Sequence, residues 1–167
     1  MNEKKIILLV YVSSLILLVS LNCAIFLAPY LKYISSKWHI YLYSFFAPLC
    51  HQIPSRCFFI FGHPLAVCAR CLGIYLGFLI GLLICPLWRS LFLLTLPGKK
   101  IFVAFSLPVL IDVLGNFLHF WESSKLIRCS LGFIWGILLP FYFIKGLAEV
   151  FLEISKKFPL KLKLKNK

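Results

Sequence analysis

The chain has 167 residues, the length of one domain. With 62% hydrophobic residues, 17% aromatic and a mean hydropathy of +0.97, it has more apolar surface than a soluble domain of that size can bury, so it reads as a polytopic membrane protein. The formal net charge of +13 comes from basic residues at helix ends and in the C-terminal tail. That pattern suits anionic lipid headgroups, and with no nucleic-acid motif present it argues against nucleic acid as a partner.

Ile6 to Ala28 is an uncharged apolar run behind Lys4 and Lys5. It is long for a signal-peptide core and lacks a small-x-small cleavage site. Asn22 is too large for the position before a lipoprotein-type Cys23, so a transmembrane helix is predicted over 6–28. Residues 30–49 mix Tyr30, Tyr33, Trp38, Tyr41 and Tyr43 with Lys32, Lys37 and His39, as an interfacial or re-entrant segment does. Pro54, Gly62 and Pro64 make residues 50–64 a Cys/His-rich loop, with Pro64 suited to the first turn of a second span over 65–85. Further spans are predicted over 101–121 and 126–145. The short link from Glu122 to Lys125 makes these two an antiparallel hairpin. The expected fold is therefore an all-α transmembrane helical bundle. Residues 1–149 form a single domain with four spans, and 150–167 form a basic tail that rests on anionic lipid.

Lys4, Lys5, Arg89, Lys99, Lys100 and the tail lysines fall on one side of this arrangement. The positive-inside rule makes that side the cytoplasm. The expectation is a multi-pass cell-membrane protein with both termini cytoplasmic and residues 29–64 and 122–125 outside. Gly73, Gly77 and Gly81 recur every four residues on the second span, a stripe that permits close helix–helix association.

The chemistry concentrates in residues 50–71, CHQIPSRCFFIFGHPLAVCARC, which hold four of the seven cysteines. Cys23, Cys85 and Cys129 lie in apolar runs and read as packing residues. Cys68, Cys71 and Tyr75 share one helix face, with the glycines near the opposite one. On the third span Asp112, Asn116 and His119 are spaced i, i+4, i+7. A carboxylate in a membrane costs about 2.5–3.5 kcal/mol, so Asp112 is expected to face the bundle interior. It either pairs with Arg128 or a buried hydroxyl and fixes register, or takes part in the site.

Two chemistries compete. Zinc needs about four N or S ligands, and Cys50, His51 or His63, Cys68 and Cys71 can supply them. Thiol–disulfide exchange needs a reactive pair at a helix N-terminus near an arginine, which Cys68 and Cys71 provide, with Cys50 and Cys57 as a second pair. In the metal reading Asp112, Arg70 and Arg128 do the chemistry. Gln52, Arg56, His63, Tyr75, Asn116 and His119 are then candidate substrate contacts, and the arginines bind an anionic group. A structural membrane protein without catalysis is the third reading.

The pattern Cys50-His51-Gln52, Pro54, Arg56, then Cys68-Ala69-Arg70-Cys71-Leu72-Gly73-Ile74-Tyr75 with Gly77 continues with Asp112, Glu122-Ser123, Arg128 and Gly132. In these residues the chain resembles the small bacterial and archaeal membrane proteins of domain of unknown function 2085, over roughly residues 45–140. The resemblance implies a membrane location and a common site, and brings no activity with it. The family pattern has serine where this chain has Cys57, which implies a set of Cys50, Cys68 and Cys71 with a histidine. Four spans with a Cys-x-x-Cys at a helix start are also similar in architecture to quinone-coupled membrane thiol oxidoreductases, though the order of elements differs.

Overall fold

The computed structural model describes residues 3–88 and 98–157. Arg89 and the tail from 158 onward lie outside the described residues. The described chain forms α1 (Glu3–Tyr33), α2 (Trp38–Phe46), a 3₁₀ turn (Pro54–Arg56), β1 (Phe59–Ile60), β2 (His63–Pro64), α3 (Ala69–Trp88), α4 (Lys99–Phe117) and α5 (Lys125–Lys157). Four of these helices, α1, α3, α4 and α5, are long and apolar enough to cross a membrane. The nine residues of α2 reach only about 13 Å, too short to span, and Trp38, Tyr41 and Phe45 on it are exposed.

Several boundaries differ from those expected of the sequence, the first being α1, which runs on as helix to Tyr33 through residues read as interfacial. The second span begins at Ala69, because Pro64 lies in a hairpin instead of a first helical turn. Ile60 pairs with His63 across Phe61 and Gly62, whose φ values of 53° and 75° are those of the primed turn that two-residue hairpins require. The third span ends at Phe117, short of residue 121. His119 takes φ 59°, and the Phe120 amide donates to the Gly115 carbonyl at 2.9 Å, closing the helix as a Schellman cap. Trp121 folds back over Gly115, where a Cβ would lie 2.2 Å from the indole ring. The fourth span runs on as helix through residues read as tail, to Lys157.

Glycine sets the central contact. A Cβ on Gly73 would meet the Cys129 carbonyl oxygen at 2.1 Å, one on Gly77 the Phe133 oxygen at 2.2 Å, and one on Gly81 the Ile137 oxygen at 2.5 Å. Gly132 and Gly136 stand in the same relation to the Arg70 and Ile74 carbonyls, at 2.3 and 2.6 Å. The order of these pairs makes α3 and α5 parallel, with backbones in contact as small-residue stripes permit. The glycine stripe is thus used inside the chain.

Helix α1 runs antiparallel to α3. Tyr11 donates its hydroxyl to the Leu82 carbonyl at 3.1 Å, the acceptor left open because Pro86, four residues on, has no N–H. Without water in the hydrocarbon layer that carbonyl needs such a donor. Asn22 bonds the Leu18 carbonyl at 2.8 Å and the Tyr75 carbonyl at 3.4 Å. Helix α4 runs antiparallel to α5, with the Trp135 indole N–H donating to Ser106 Oγ at 3.0 Å and the Phe102 and Tyr142 rings 5.0 Å apart. Apart from the buried Asp112, Gly115 and Asn116, most of the remaining α4 surface is exposed, as on a lipid-facing helix. This arrangement brings the ends of α1 and α4 and the starts of α3 and α5 to one end of the bundle.

Candidate metal centre

Cys50 follows the short α2 helix, its amide bonded to the Phe46 carbonyl at 2.9 Å. Cys68 immediately precedes α3, and its carbonyl accepts the first helical bond, from Leu72, at 2.9 Å. Cys71 follows one turn later. The Cys68 amide donates to Cys50 Sγ at 3.2 Å, which ties the loop to the helix start. The three Sγ atoms all lie within 4.8 Å of one another. None of the seven cysteines is in a disulfide. Hydrogen bonds from Cys50, then Cys71, aided by the backbone of Cys71 and Arg70, hold the Cys68 thiol well below its ordinary value against the opposing effect of burial.

A pocket of about 280 Å³ opens beside the trio, lined also by His51, Arg56, Arg70 and Arg128 and walled by Leu49 and Ile53. His51 is exposed, and its ring is outside the thiol cluster while still facing the same pocket. Cys57 is separate. It is fully buried, its thiol donates to the Ile53 carbonyl at 3.2 Å, and burial, with Cys68 and Cys50 nearby, pushes it up to about 11.

Behind the pocket is a polar network between helices. Asp112 is 5% exposed and accepts from Arg70, which makes Arg70 its ion-pair partner. Its other oxygen accepts from the Ser123 hydroxyl and from Asn116 Nδ2 at 3.0 Å. Asn116 Oδ1 accepts from the buried Arg128 and from the Ser123 amide at 3.2 Å. One carboxylate and one amide thus fix the positions of Arg70 and Arg128, reaching from α4 to α3 and α5.

Of the residues singled out from the sequence, Cys50, His51, Arg56, Cys68, Arg70, Cys71 and Arg128 meet at the pocket. Asp112 and Asn116 stand behind it. Tyr75 packs half-buried against the same core, edge-on to Phe46 at 6.3 Å. Gln52 turns away and donates to the Tyr43 carbonyl at 2.7 Å. His63 sits in β2, and His119, past the end of α4, is exposed. The polar stripe on α4 therefore stops at Asn116. Ser123 was not among the site candidates. Its only signal was its place in the family pattern.

A family model described as "Predicted membrane protein (DUF2085)" matches residues 50–142, a segment that contains the thiol trio and the whole network behind it. An uncharacterised protein of Methanocaldococcus jannaschii is 40% identical over 161 residues, covering 93% of this chain and 99% of that relative. An uncharacterised protein of Methanothermobacter thermautotrophicus is 33% identical over 96 residues, covering 55% of this chain and 81% of its own length. No solved structure matches. With four helices of membrane-spanning length and a match over more than half its residues, the chain belongs to DUF2085, a family of predicted membrane proteins.

Proposed function

We propose that this membrane protein binds a thiophilic metal ion, zinc, through Cys50, Cys68 and Cys71 at the end of the bundle where α3 and α5 begin. The observation that carries this reading is the convergence of three sulfurs within 4.8 Å. Zinc–sulfur bonds of about 2.3 Å in a tetrahedron put sulfurs about 3.8 Å apart, so a small contraction closes the set. The fourth position then faces the pocket, within reach of His51 or an exogenous ligand, as in zinc sites that exchange ligands. Asp112 acts through Arg70, holding it beside Cys71. Both termini are cytoplasmic in this reading, which puts the pocket on the outer face, and the basic tail rests on anionic lipid.

A second reading, thiol–disulfide exchange, is favoured by the low proton affinity of Cys68 at the start of α3. There Cys68 or Cys71 attacks a substrate disulfide, forming a mixed disulfide and releasing one substrate thiol, and Cys50 then attacks that mixed disulfide and releases the second. Metal content and free-thiol count on full-length protein purified without reductant separate the two. The metal reading expects about one zinc per chain and reduced thiols, with the metal lost in Cys68→Ser. A metal-free protein with two thiols of the trio oxidised to a disulfide would support the second reading. A metal-free protein with unreactive thiols would leave a structural role.

A further inference from the structure

The pocket has a charge imbalance that the metal does not remove. Arg56, Arg70 and Arg128 line it, and the carboxylate behind them, Asp112, is already the ion-pair partner of Arg70. Arg128 is 7% exposed, and the one acceptor of its guanidinium among the described residues is the neutral Asn116 amide. Arg56 is exposed at the rim, and its guanidinium has no partner among the described residues. The Nε atoms of Arg70 and Arg128 are buried and make no hydrogen bond among the described residues. Buried cations are ordinarily matched by a counterion, and buried N–H donors by an acceptor. With zinc on three thiolates the cluster contributes one net negative charge. Counting Asp112, three guanidiniums then face two negative charges.

We propose that the pocket binds a phosphate group, held by Arg56 and Arg128 with Arg70, next to the thiol cluster. A carboxylate presents two coplanar oxygens and suits one guanidinium fork. A phosphate presents acceptors in several directions, which suits guanidiniums arriving from three elements: the 3₁₀ turn, α3 and α5. The proposal deepens the metal reading and rests on it for taking this pocket as the working site, while the buried, unbonded Nε donors of Arg70 and Arg128 do not depend on the ion. The phosphate comes either from solution or from a lipid headgroup, since the pocket lies at the end of the bundle beside the aromatic α2.

The test uses the full-length protein in neutral detergent. Inorganic phosphate and short-chain phosphatidic acid are titrated against it at constant ionic strength, with diacylglycerol as the uncharged control, and binding is followed by calorimetry and thermal shift. Saturable binding of at least one phosphate is expected, weakened about tenfold or more by Arg56→Gln, as loss of a charge-assisted hydrogen bond implies. Arg56 is exposed and unpartnered, so this variant keeps the fold. Binding of inorganic phosphate identifies a soluble source, and binding of phosphatidic acid alone a lipid one. The Cys50→Ser/Cys71→Ser variant, which lacks the metal set, is expected to retain phosphate binding. Zinc binding with no phosphate binding overturns this proposal and leaves the metal reading standing. Phosphate binding without zinc supports the anion site and removes the metal reading. Equal affinity in wild type and Arg56→Gln also overturns the proposal.

Discussion

Replacing Gly77 with alanine puts a methyl carbon 2.2 Å from the Phe133 carbonyl oxygen, 3.0 Å from its carbon and 3.1 Å from Gly136 Cα. All three are backbone atoms, so no rotamer change relieves the contact. To reach the 3.4 Å at which van der Waals contact becomes ordinary, α3 and α5 must part by about 1.2 Å at this point. Overpacking a close interface costs about 1–3 kcal/mol, and the upper half of that range is expected here because both surfaces are helix backbone. The displacement also loosens the neighbouring contacts of Gly73, Gly81, Gly132 and Gly136, whose dispersion energy falls steeply with separation. Gly132 abuts the Arg70 carbonyl, so the shift reaches the pocket and weakens metal or anion binding as well. Gly146→Ala is the control, since nothing lies within 4 Å of its Cβ position. It is expected to be neutral or to stabilise by up to about 1 kcal/mol through helix propensity. Reversible unfolding in micelles measures both. Wild-type stability in Gly77→Ala, or an equal loss in Gly146→Ala, would refute the close-packing argument.

Removing one partner of the Arg70–Asp112 pair, as in Arg70→Gln or Asp112→Asn, is expected to destabilise by about 3 kcal/mol, because a charge is left buried without its counterion. In a double-mutant cycle the double variant then loses less than the sum of the two singles, and strict additivity would contradict the pairing. For Cys57, whose thiol is pushed up to about 11 from an ordinary 9.0, the folded state keeps a proton that the unfolded chain has released. Its contribution is fully present below pH 9 and is lost as pH rises from 9 to about 11. Stability against pH should therefore decline less steeply over that window in Cys57→Ser than in wild type, and superimposable profiles would contradict the burial argument.

The number of spans was legible in the sequence because the bilayer leaves few solutions: four strongly apolar runs of sufficient length with at most two charges each, and a segment of aromatic and basic residues too mixed to cross. The cost of a carboxylate in lipid made the inward orientation of Asp112 legible, but not its partner. Spacing along α4 does not reveal that the parallel contact of α3 with α5 brings Arg70 across, ahead of the Arg128 or hydroxyl partner weighed for it; the Ser123 hydroxyl is bound as well. The end of α4 was hidden for a similar reason. Its left-handed cap residue is His119, not glycine, and Trp121 closes over Gly115 from beyond the helix. Both are tertiary choices with no local signature. The Phe61–Gly62 turn was half visible, since Gly62 advertises a positive φ and Phe61 does not. Spacing marked only Cys68 and Cys71 as a pair, and the set with Cys50 and without Cys57 came from the resemblance to the family pattern; the burial of Cys57 and its hydrogen bond to Ile53 are tertiary.

The central claim is that three thiolates of one chain hold one ion. X-ray absorption at the zinc edge, on full-length protein purified without reductant or added metal and then loaded with one equivalent of zinc, tests it most directly. The account predicts about three sulfur neighbours at about 2.3 Å with one lighter N or O ligand, falling to about two sulfurs in Cys50→Ser. A zinc shell of N and O alone, or a protein that takes up no zinc with its thiols reduced, would contradict it.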